Sequence, residues 1–233
     1  ESPGQAISLA LKIKIMKQLV LTIVIISATL IVATGQNVNV GFSAGATISN
    51  YRSKVDGNDE SGKSKAGLTI GILLDLPTGT NFSFQPALNF VQKGTKEEQT
   101  YGNTTEKTKL TISSIELLLN FLYNSNSNNG IFFIGAGPSF GYNTSGKLSY
   151  DDGTNSDSEK IKIGNDPLND FIKGLDLGAN VLAGFRFPNG LFFSTSYNAG
   201  LKNLFPGGSS DGTLKSHYFS IKLGMMLKHN AIK

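Results

Sequence analysis

Large apolar residues alternate with small or polar residues along eight stretches of this chain. The clearest pattern runs through residues 175–201, where Leu, Val, Phe and Tyr fill mostly odd positions and Gly, Ser, Asn and charged residues mostly even ones. Pro188, Asn189 and Gly190 interrupt it with residue types that favour a turn. A period of two around a turn predicts a β-hairpin with one apolar face and one small, polar face. Its strands exceed the about 5–6 residues usual in soluble proteins and suit the about 9–11 residues that cross a bilayer.

Six further stretches repeat the alternation, and the connections between strands alternate between short turns and long loops. The predicted strands cover residues 38–48, 66–76, 82–90, 109–123, 132–142 and 217–228. The predicted long loops cover residues 51–65, 93–108, 144–173 and 203–215. Pro86 predicts a β-bulge, because proline cannot donate a hydrogen bond within a paired strand. Ser113 and Ser114 predict a second bulge, because the apolar positions change parity there.

Eight strands with such connections predict an all-β fold, an eight-stranded antiparallel up-and-down transmembrane β-barrel. In these barrels the short turns and both termini lie in the periplasm, and the long loops lie outside the cell. A soluble lipocalin-like barrel is the alternative, but its apolar face would point inward. Eight strands enclose room for side chains only. The small, polar face therefore suits the inside, and the apolar face suits lipid.

The first 35 residues have the composition of an export signal. A positive start at Met16 and Lys17 precedes an apolar stretch over residues 19–32 and a small-residue cleavage site. A membrane-spanning helix is the alternative, but it would need about 20 apolar residues. The sequence therefore predicts an upstream extension over residues 1–15, a signal peptide over 16–35 and a barrel domain over 36–233.

Composition narrows the chemistry that the chain can perform. It has 27 glycines and only 16% charged residues, which favours turns and close backbone approach over long helices. It has no cysteine, and its two histidines are His217 and His229. Without residues 1–35, 18 basic and 16 acidic side chains remain, so the net charge falls from +4 to +2. A nucleic-acid partner is therefore not expected.

Polar and charged side chains recur on the face predicted to point into the barrel. They are Asp75, Gln85, Glu116, Asp176, Asn180, Arg186, Lys222 and Lys228. We interpret them as a plug of ion pairs and hydrogen bonds, because buried charges must be paired. A polar pathway or proton relay is the alternative. Position along the strands predicts two pairs, Glu116 with Lys222 and Asp75 with Arg186.

Two further features carry weaker chemical signals. The acidic run over residues 151–159 offers oxygen ligands suited to Ca²⁺, but it lacks EF-hand spacing and is typical of a solvated loop. His217 beside Ser216 or Ser220 suggests a hydrolase, but its parity places His217 on the outward face. The loop over residues 144–173 has no histidine and no arginine, and its aromatic residues, Tyr150 and Phe171, predict no stacking platform. It suits polar contacts to a partner protein or a glycan.

Four segments of the chain resemble a known family. They are GLTIGILLDLPTGTNFSFQPALNFVQKG (67–94), ISSIELLLNFLY (112–123), GIFFIGAGPSFGY (130–142) and NGLFFSTSYNAGLKNL (189–204). They resemble the outer-membrane β-barrel domain family known as porin family or PorT-like, typical of Bacteroidota, and the resemblance covers residues 37–228. Family members usually carry proline where Leu117 stands, and often end on an aromatic residue. The resemblance implies a Gram-negative outer-membrane location.

Pattern and resemblance together predict a non-enzymatic integral outer-membrane barrel, a structural or accessory component exported through its signal peptide. Its long extracellular loops would bind a partner protein or a ligand, and its apolar face would contact outer-membrane lipid. No cofactor and no metal are expected. Two alternatives stay open. One is a narrow pore, and the other is an outer-membrane enzyme that modifies lipid or cleaves protein.

Overall fold

The computed structural model describes residues 38–55, 58–101, 104–206 and 212–227. The strands are β1 (Asn39–Val55), β2 (Asn58–Ser61), β3 (Lys63–Pro77), β4 (Phe82–Tyr101), β5 (Thr104–Ser127), β6 (Gly130–Asp151), β7 (Ser156–Ile161), β8 (Leu175–Arg186), β9 (Leu191–Gly200) and β10 (Gly212–Leu227). The predicted signal peptide, the upstream extension and Lys228 lie outside the described residues. Within the described ranges, no helix has the length and apolar character needed to cross a membrane.

Eight of these strands close a ring, in the order β1, β3, β4, β5, β6, β8, β9 and β10. Every neighbouring pair is antiparallel, and β10 pairs with β1 from Val40–Leu227 to Val55–Gly212. The short strands β2 and β7 pair with the ends of β1 and β6, on the same edges that β3 and β8 occupy further along, and so extend the wall of the ring. Closure leaves the ring without an unpaired edge, which is what a sheet needs in lipid. The predicted all-β, eight-stranded antiparallel barrel is confirmed.

The two ends of the barrel differ in their connections. Short connections at residues 78–81, 128–129 and 187–190 lie at the end where β1 begins and β10 finishes. We call this the short-turn end and the opposite one the long-hairpin end. At the long-hairpin end the predicted loop over residues 93–108 is wrong. There β4 and β5 stay paired up to Tyr101 and Thr104.

The other predicted loops are also shortened by strand. β1 continues to Val55, β6 continues to Asp151, and β7 folds back onto β6 from Gly146 to Asp151. Sequence alternation missed these extensions because backbone hydrogen bonding needs no apolar face, and strands that rise out of the lipid no longer carry large apolar residues on their outward side. The long-hairpin end is therefore built largely from paired strand rather than from irregular loop.

The two predicted bulges have different outcomes. The β4–β5 ladder runs through Pro86 without a shift in register, so a bulge there is wrong. A register shift does occur at Ser113 and Ser114, which pair with Ser145 and Asn143. The extra residue is Thr144 in β6, so β5 keeps one parity throughout. The apparent change in β5 arises because its interior-facing residues become apolar towards the long-hairpin end.

The outward face carries the large apolar residues. Exposed examples around the ring are Phe42, Ile70, Leu88, Ile134, Val181, Phe193, Ile221 and Leu223. Val181, at the middle of the opening sequence pattern, is 53% exposed. In water such exposure would be unfavourable, whereas in a bilayer these side chains meet hydrocarbon. The face that the sequence predicts to contact lipid is the outward face of the barrel in the structure.

The inside of the barrel is layered. A short-turn apolar layer comprises Leu73, Ala87, Leu118, Leu122, Phe133, Phe192 and Met226. A long-hairpin apolar layer comprises Tyr51, Leu110, Ile112, Ile172 and Leu204. Polar residues fill the space between the two layers. Along β5 the short-turn apolar layer, the polar region and the long-hairpin apolar layer follow one another. They are represented by Leu118, then buried Glu116 and Ser114, then Ile112.

Candidate functional site

A buried group of charged and polar side chains lies between the two apolar layers. We call Lys93, Glu116, Asp176, Ser216 and Tyr218 the charged cluster. The Lys93 ammonium lies 2.8 Å from a Glu116 oxygen and 2.8 Å from a carboxylate oxygen of Asp176. Ser216 donates to the same Asp176 oxygen at 2.6 Å, and Tyr218 donates to Glu116 at 2.5 Å. The cluster thus joins β4, β5, β8 and β10 across the lumen.

Burial makes these contacts strong and mutually dependent. The side chains of Lys93 and Glu116 are 1% and 3% exposed. Bringing a charge into such surroundings is costly unless opposite charges and hydrogen bonds surround it. Lys93 has two carboxylates, and each carboxylate also accepts a hydroxyl donor. The arrangement therefore works as a cross-brace, in which removal of one member leaves the others buried without compensation.

A hydrogen-bonded layer of uncharged side chains lies next to the cluster, on its short-turn side. Asn180 donates to Asn120 at 2.9 Å, and the hydroxyls of Ser196 and Ser220 are 2.8 Å apart. Beside this layer remains a cavity of about 30 Å³. That is room for about two water molecules. The lumen at this depth is filled by side chains.

The structure places the predicted interior residues that it describes inside the barrel, and one of the two predicted pairs, Asp75 with Arg186, forms. Arg186 and Asp75 form an ion pair of 2.7 Å at the short-turn end. Gln85 and Asn180 are buried, and Lys222 lines the small cavity. Lys228 is outside the described residues. The predicted pair of Glu116 with Lys222 is wrong, since within the described ranges the ion-pair partner of Glu116 is Lys93.

Sequence reasoning missed Lys93 because it assigned the residue to a loop. The missed signal was the parity of β4, in which Gln85, Ala87 and Asn89 all point inward. Continuing that parity by two steps gives Val91 and Lys93, both 1% exposed. The lysine sits just beyond the last apolar alternation. Its partner Glu116 comes from the next strand, and its partner Asp176 is 83 positions away.

The serine–histidine pairings suggested by the sequence do not form. His217 lies between Ser216 and Tyr218 in β10, and the side chains of both neighbours point into the lumen. Ser220 points the same way, towards Ser196. Because successive side chains in a strand face opposite sides, His217 points away from both serines. Neither serine can use His217 as a base.

A second candidate site opens at the long-hairpin end. It is a cup of about 720 Å³. Its floor is the upper surface of the long-hairpin apolar layer, including Tyr51 and Leu110, with Leu148 and Leu214 packed against that layer. Its remaining lining is Ser53, Gly62, Lys63, Thr95, Glu97, Glu98, Gln99, Thr108, Tyr150, Phe171 and Phe205. The cup is therefore a concave site of ligand size with an apolar base.

Three aromatic residues from separate parts of the chain line the cup. Tyr150 belongs to β6, Phe171 to the segment after β7, and Phe205 to the segment after β9. The sequence predicted no stacking platform in the loop over residues 144–173, and the structure places both aromatic residues of that loop, Tyr150 and Phe171, in the lining of the cup. Tyr150 and Phe171 line one cavity because β6 continues past the membrane-facing stretch. Phe205 lies in the connection between β9 and β10, and closure of the ring brings that connection to the same cavity.

The rim of the cup carries compensated charge. Lys63 lies 2.7 Å from Glu98, and Lys96 lies 3.5 Å from the same carboxylate. The hydrogen bond from Lys63 and its positive charge hold the pKa of Glu98 below its ordinary value. These side chains are exposed to water, which weakens the attraction between them. The rim therefore offers polar contacts without a strong field of either sign.

The acidic run over residues 151–159 serves local turn geometry. Asp152 accepts hydrogen bonds from the backbone N–H groups of Thr154 at 2.8 Å and Asn155 at 2.6 Å. These contacts hold the pKa of Asp152 below its ordinary value. Within the described ranges, no group of three or more Asp, Glu, His or Cys residues is arranged to hold a metal ion.

Comparison with solved structures finds outer-membrane barrels of low sequence identity. The attachment invasion locus protein Ail of Yersinia pestis is 14% identical over 82% of this chain and 100% of its own, with a TM-score of 0.40. OprG from Pseudomonas aeruginosa is 10% identical over 83% of this chain and 97% of its own, with a TM-score of 0.43. The outer membrane enzyme PagL is 12% identical over 77% and 98%, with a TM-score of 0.30.

Comparison by sequence gives the family. Among curated proteins, no sequence matches this chain significantly. Residues 34–206, however, match the family described as outer membrane protein beta-barrel domain. That span includes the ring strands from β1 to β9. The closed ring, the apolar outer face and this match agree, and the chain belongs to the outer membrane protein beta-barrel domain family as an integral outer-membrane protein.

Proposed function

We propose that this protein is a non-enzymatic outer-membrane component that binds a partner or ligand through its long-hairpin end, which faces the cell exterior. The observation that carries the proposal is the contrast between the lumen and the long-hairpin end of the barrel. The lumen is filled by the charged cluster and two apolar layers, whereas the long-hairpin end holds a cup of about 720 Å³. Binding is therefore concentrated at the cup and the strands around it.

The construction of the long-hairpin end supports a binding role. β4 and β5 remain paired up to Tyr101 and Thr104, and β7 pairs with β6 through six residue pairs. Paired strands hold side chains in place better than irregular loops do. Binding residues presented on such a scaffold lose less conformational freedom when a partner docks. This end of the barrel therefore suits recognition.

The filled lumen supports the proposal over a narrow pore. The space beside the charged cluster holds about two water molecules, and an apolar layer lies on each side of the polar region. Reconstituted in a planar lipid bilayer, the protein should show no discrete conductance steps. Regular steps that survive repurification would favour the pore instead.

Orientation can be tested with single cysteines, because the chain has none of its own. A cysteine at Asp152, in the exposed turn between β6 and β7, should react with a membrane-impermeant thiol reagent in intact cells. A cysteine at Asn126, beside the short turn of β5 and β6, should react only after the outer membrane is opened. The reverse pattern would place the cup in the periplasm and contradict the proposal.

The partner-binding role can be tested by removing the hairpin of β6 and β7. Deletion of residues 149–163 removes β7 and the last three residues of β6, all at the long-hairpin end, so the barrel should still fold and keep its heat-modifiable gel mobility. Cross-linking on intact cells should then lose the products seen with the full chain. A deletion within residues 78–81, at the other end, is the matched control and should keep those products.

The enzyme alternative has its own test. Because His217 points away from Ser216 and Ser220, its replacement should not affect any activity found in the purified protein. A lipase, acylase or protease activity that disappears in the His217→Ala variant, while the barrel stays folded, would overturn the non-enzymatic proposal.

A further inference from the structure

The cup at the long-hairpin end has the composition of a small-molecule site rather than of a flat protein-docking surface. It is concave, and its volume of about 720 Å³ lies within the range of about 300–1,000 Å³ typical of ligand pockets. Its floor belongs to the long-hairpin apolar layer, whose residues Tyr51 and Leu110 are 3% and 8% exposed. A ligand entering the cup therefore meets a base that is already packed.

The floor of the cup determines how polar the innermost part of a ligand can be. Leu110, Leu148 and Leu214 offer no hydrogen-bond partner from their side chains. A hydroxyl-rich ligand pressed against them would lose hydrogen bonds to water without replacement, which weakens its binding. An apolar group would gain from the same contact. The base of the cup thus selects an apolar body over a sugar.

The walls favour a flat ring. Phe171 and Tyr150 are 47% and 46% exposed, and their side chains, like that of Phe205, border the open space. Aromatic rings bind other rings in offset-stacked or edge-on arrangements, with centroids about 4.5–7 Å apart. Large aromatic surface left open to water on a rigid scaffold is available for this kind of contact.

The rim determines the charge of the ligand. Lys63 and Lys96 contact Glu98, and Glu97 also lines the cup. Among the residues that line the cup, Lys63 and Glu98 offset each other and Glu97 leaves one negative charge, so an anion is disfavoured. The hydroxyls of Ser53, Thr95 and Thr108 line the cup and can contact one polar group. The polar end of the ligand therefore carries no negative charge, and a hydroxyl group suits it.

We infer that the cup binds a neutral small molecule with an aromatic body and one hydrogen-bonding group at its outer end. This inference rests on the proposed binding function and specifies its ligand class. The long-hairpin apolar layer closes the cup below, so the ligand is received at the surface and does not continue into the lumen.

The test uses the full chain in lipid nanodiscs with labelled leucine methyl groups and 2-naphthol as the probe. The methyl signals of Leu110, Leu148 and Leu214 should shift saturably as 2-naphthol is added. Lipid-facing Leu223, 69% exposed, reports partitioning into the bilayer and should shift only in proportion to probe concentration. Maltose, added in place of 2-naphthol, should leave the three cup leucines unshifted.

Variants assign the binding to the aromatic walls. The double variant Phe171→Ala/Phe205→Ala should weaken 2-naphthol binding at least tenfold, and Tyr150→Ser is a second, independent wall variant. Leu168→Ala is the matched control, because Leu168 lies in the same segment as Phe171, is 90% exposed and does not line the cup. It should bind normally.

Three results would overturn the inference: no saturable shift at the cup leucines, saturation by maltose at lower concentration than by 2-naphthol, or unchanged binding in both wall variants. These results leave the proposed function standing if deletion of residues 149–163 still abolishes the cross-linked products. Loss of the saturable shift in Leu168→Ala would also count against the site, because Leu168 lies outside it.

Discussion

Two groups of lysine and carboxylate side chains in this barrel have the same chemistry and opposite surroundings. In the charged cluster, Lys93 is 1% exposed and bridges Glu116 and Asp176. At the rim of the cup, the Lys63 side chain is 59% exposed and contacts Glu98 at 2.7 Å. The ion-pair distances are nearly equal, so distance alone does not distinguish them. Burial does, because water screens the rim pair and is excluded from the cluster.

The comparison indicates where charge contributes to the stability of this fold. A buried pair costs solvation to form, so its presence adds little compared with apolar packing. Once the pair is formed, removing one member is severe, because the remaining charge keeps its solvation cost and loses its partner. An exposed pair neither costs much solvation to form nor leaves a buried, unpaired charge when one member is removed. The charged cluster should therefore control folding, and the rim should tolerate change.

The largest expected effect is that of Lys93→Met. It leaves Glu116 and Asp176 close together and buried without a cation, which should cost about 3–5 kcal/mol of folding free energy. Urea-dependent unfolding in lipid vesicles, followed by heat-modifiable gel mobility, measures this change. Lys96→Met, on the same strand but at the exposed rim, is the control and should remain close to the unchanged chain. Equal effects in the two variants would remove the distinction between buried and exposed charge.

Next in size is Val181→Arg, which places a charge on the lipid face without any partner. Val181 is 53% exposed on the outer surface, and its depth is near the middle of β8. The expected cost is about 2–4 kcal/mol near the bilayer midplane. The same unfolding assay reads it out, with Val181→Leu as the apolar control. An unchanged folded fraction in Val181→Arg would contradict the assignment of outside and inside.

A smaller effect is expected from Tyr218→Phe. This change keeps the ring and removes the hydroxyl that donates to Glu116. A hydrogen bond to a charged group contributes about 1.5–3 kcal/mol, so the loss should be clear but below that of Lys93→Met. In the double variant with Lys93→Met the two losses should not add, because both residues contact Glu116. Simple addition would indicate that the cluster does not act as one unit.

The smallest effect is expected from Lys63→Met at the rim. The pair with Glu98 is exposed, so its removal should leave the unfolding midpoint unchanged within error. Because the pKa of Glu98 is lowered in the folded state, any contribution is present above the unfolded pKa and disappears as pH falls through the folded value. The difference in unfolding free energy between pH 7 and pH 3 should therefore be the same as in the unchanged chain or slightly smaller in Lys63→Met, and a larger difference would contradict the sign of this contribution.

The outer face and the strand number could be predicted because both depend on local geometry. Side chains alternate across a strand with a period of two, so a segment such as residues 175–201 shows its lipid face by residue type alone. The short turn at Pro188–Gly190 could also be recognised from its turn-forming residues. Polar extensions such as the end of β4 carry no such signal, since both faces meet water.

The charged cluster and the cup could not be predicted in the same way. Lys93 and Asp176 are 83 positions apart, and Ser216 lies 40 positions from Asp176. Whether such residues meet depends on the register of every intervening strand pair and on the extra residue Thr144 in β6. One residue of slip would turn a side chain from the lumen to the lipid.

The amino-acid sequence by itself determined the closed, lipid-facing barrel, because alternation and turn chemistry act over a few neighbouring residues. Ring closure and register decided the rest. They brought Lys93 to Glu116 in place of Lys222, and they gathered Tyr150, Phe171 and Phe205 around one cup. The physical reason is that these contacts run across strands at a shared depth, and depth along the barrel axis is set by the pairing of the whole ring.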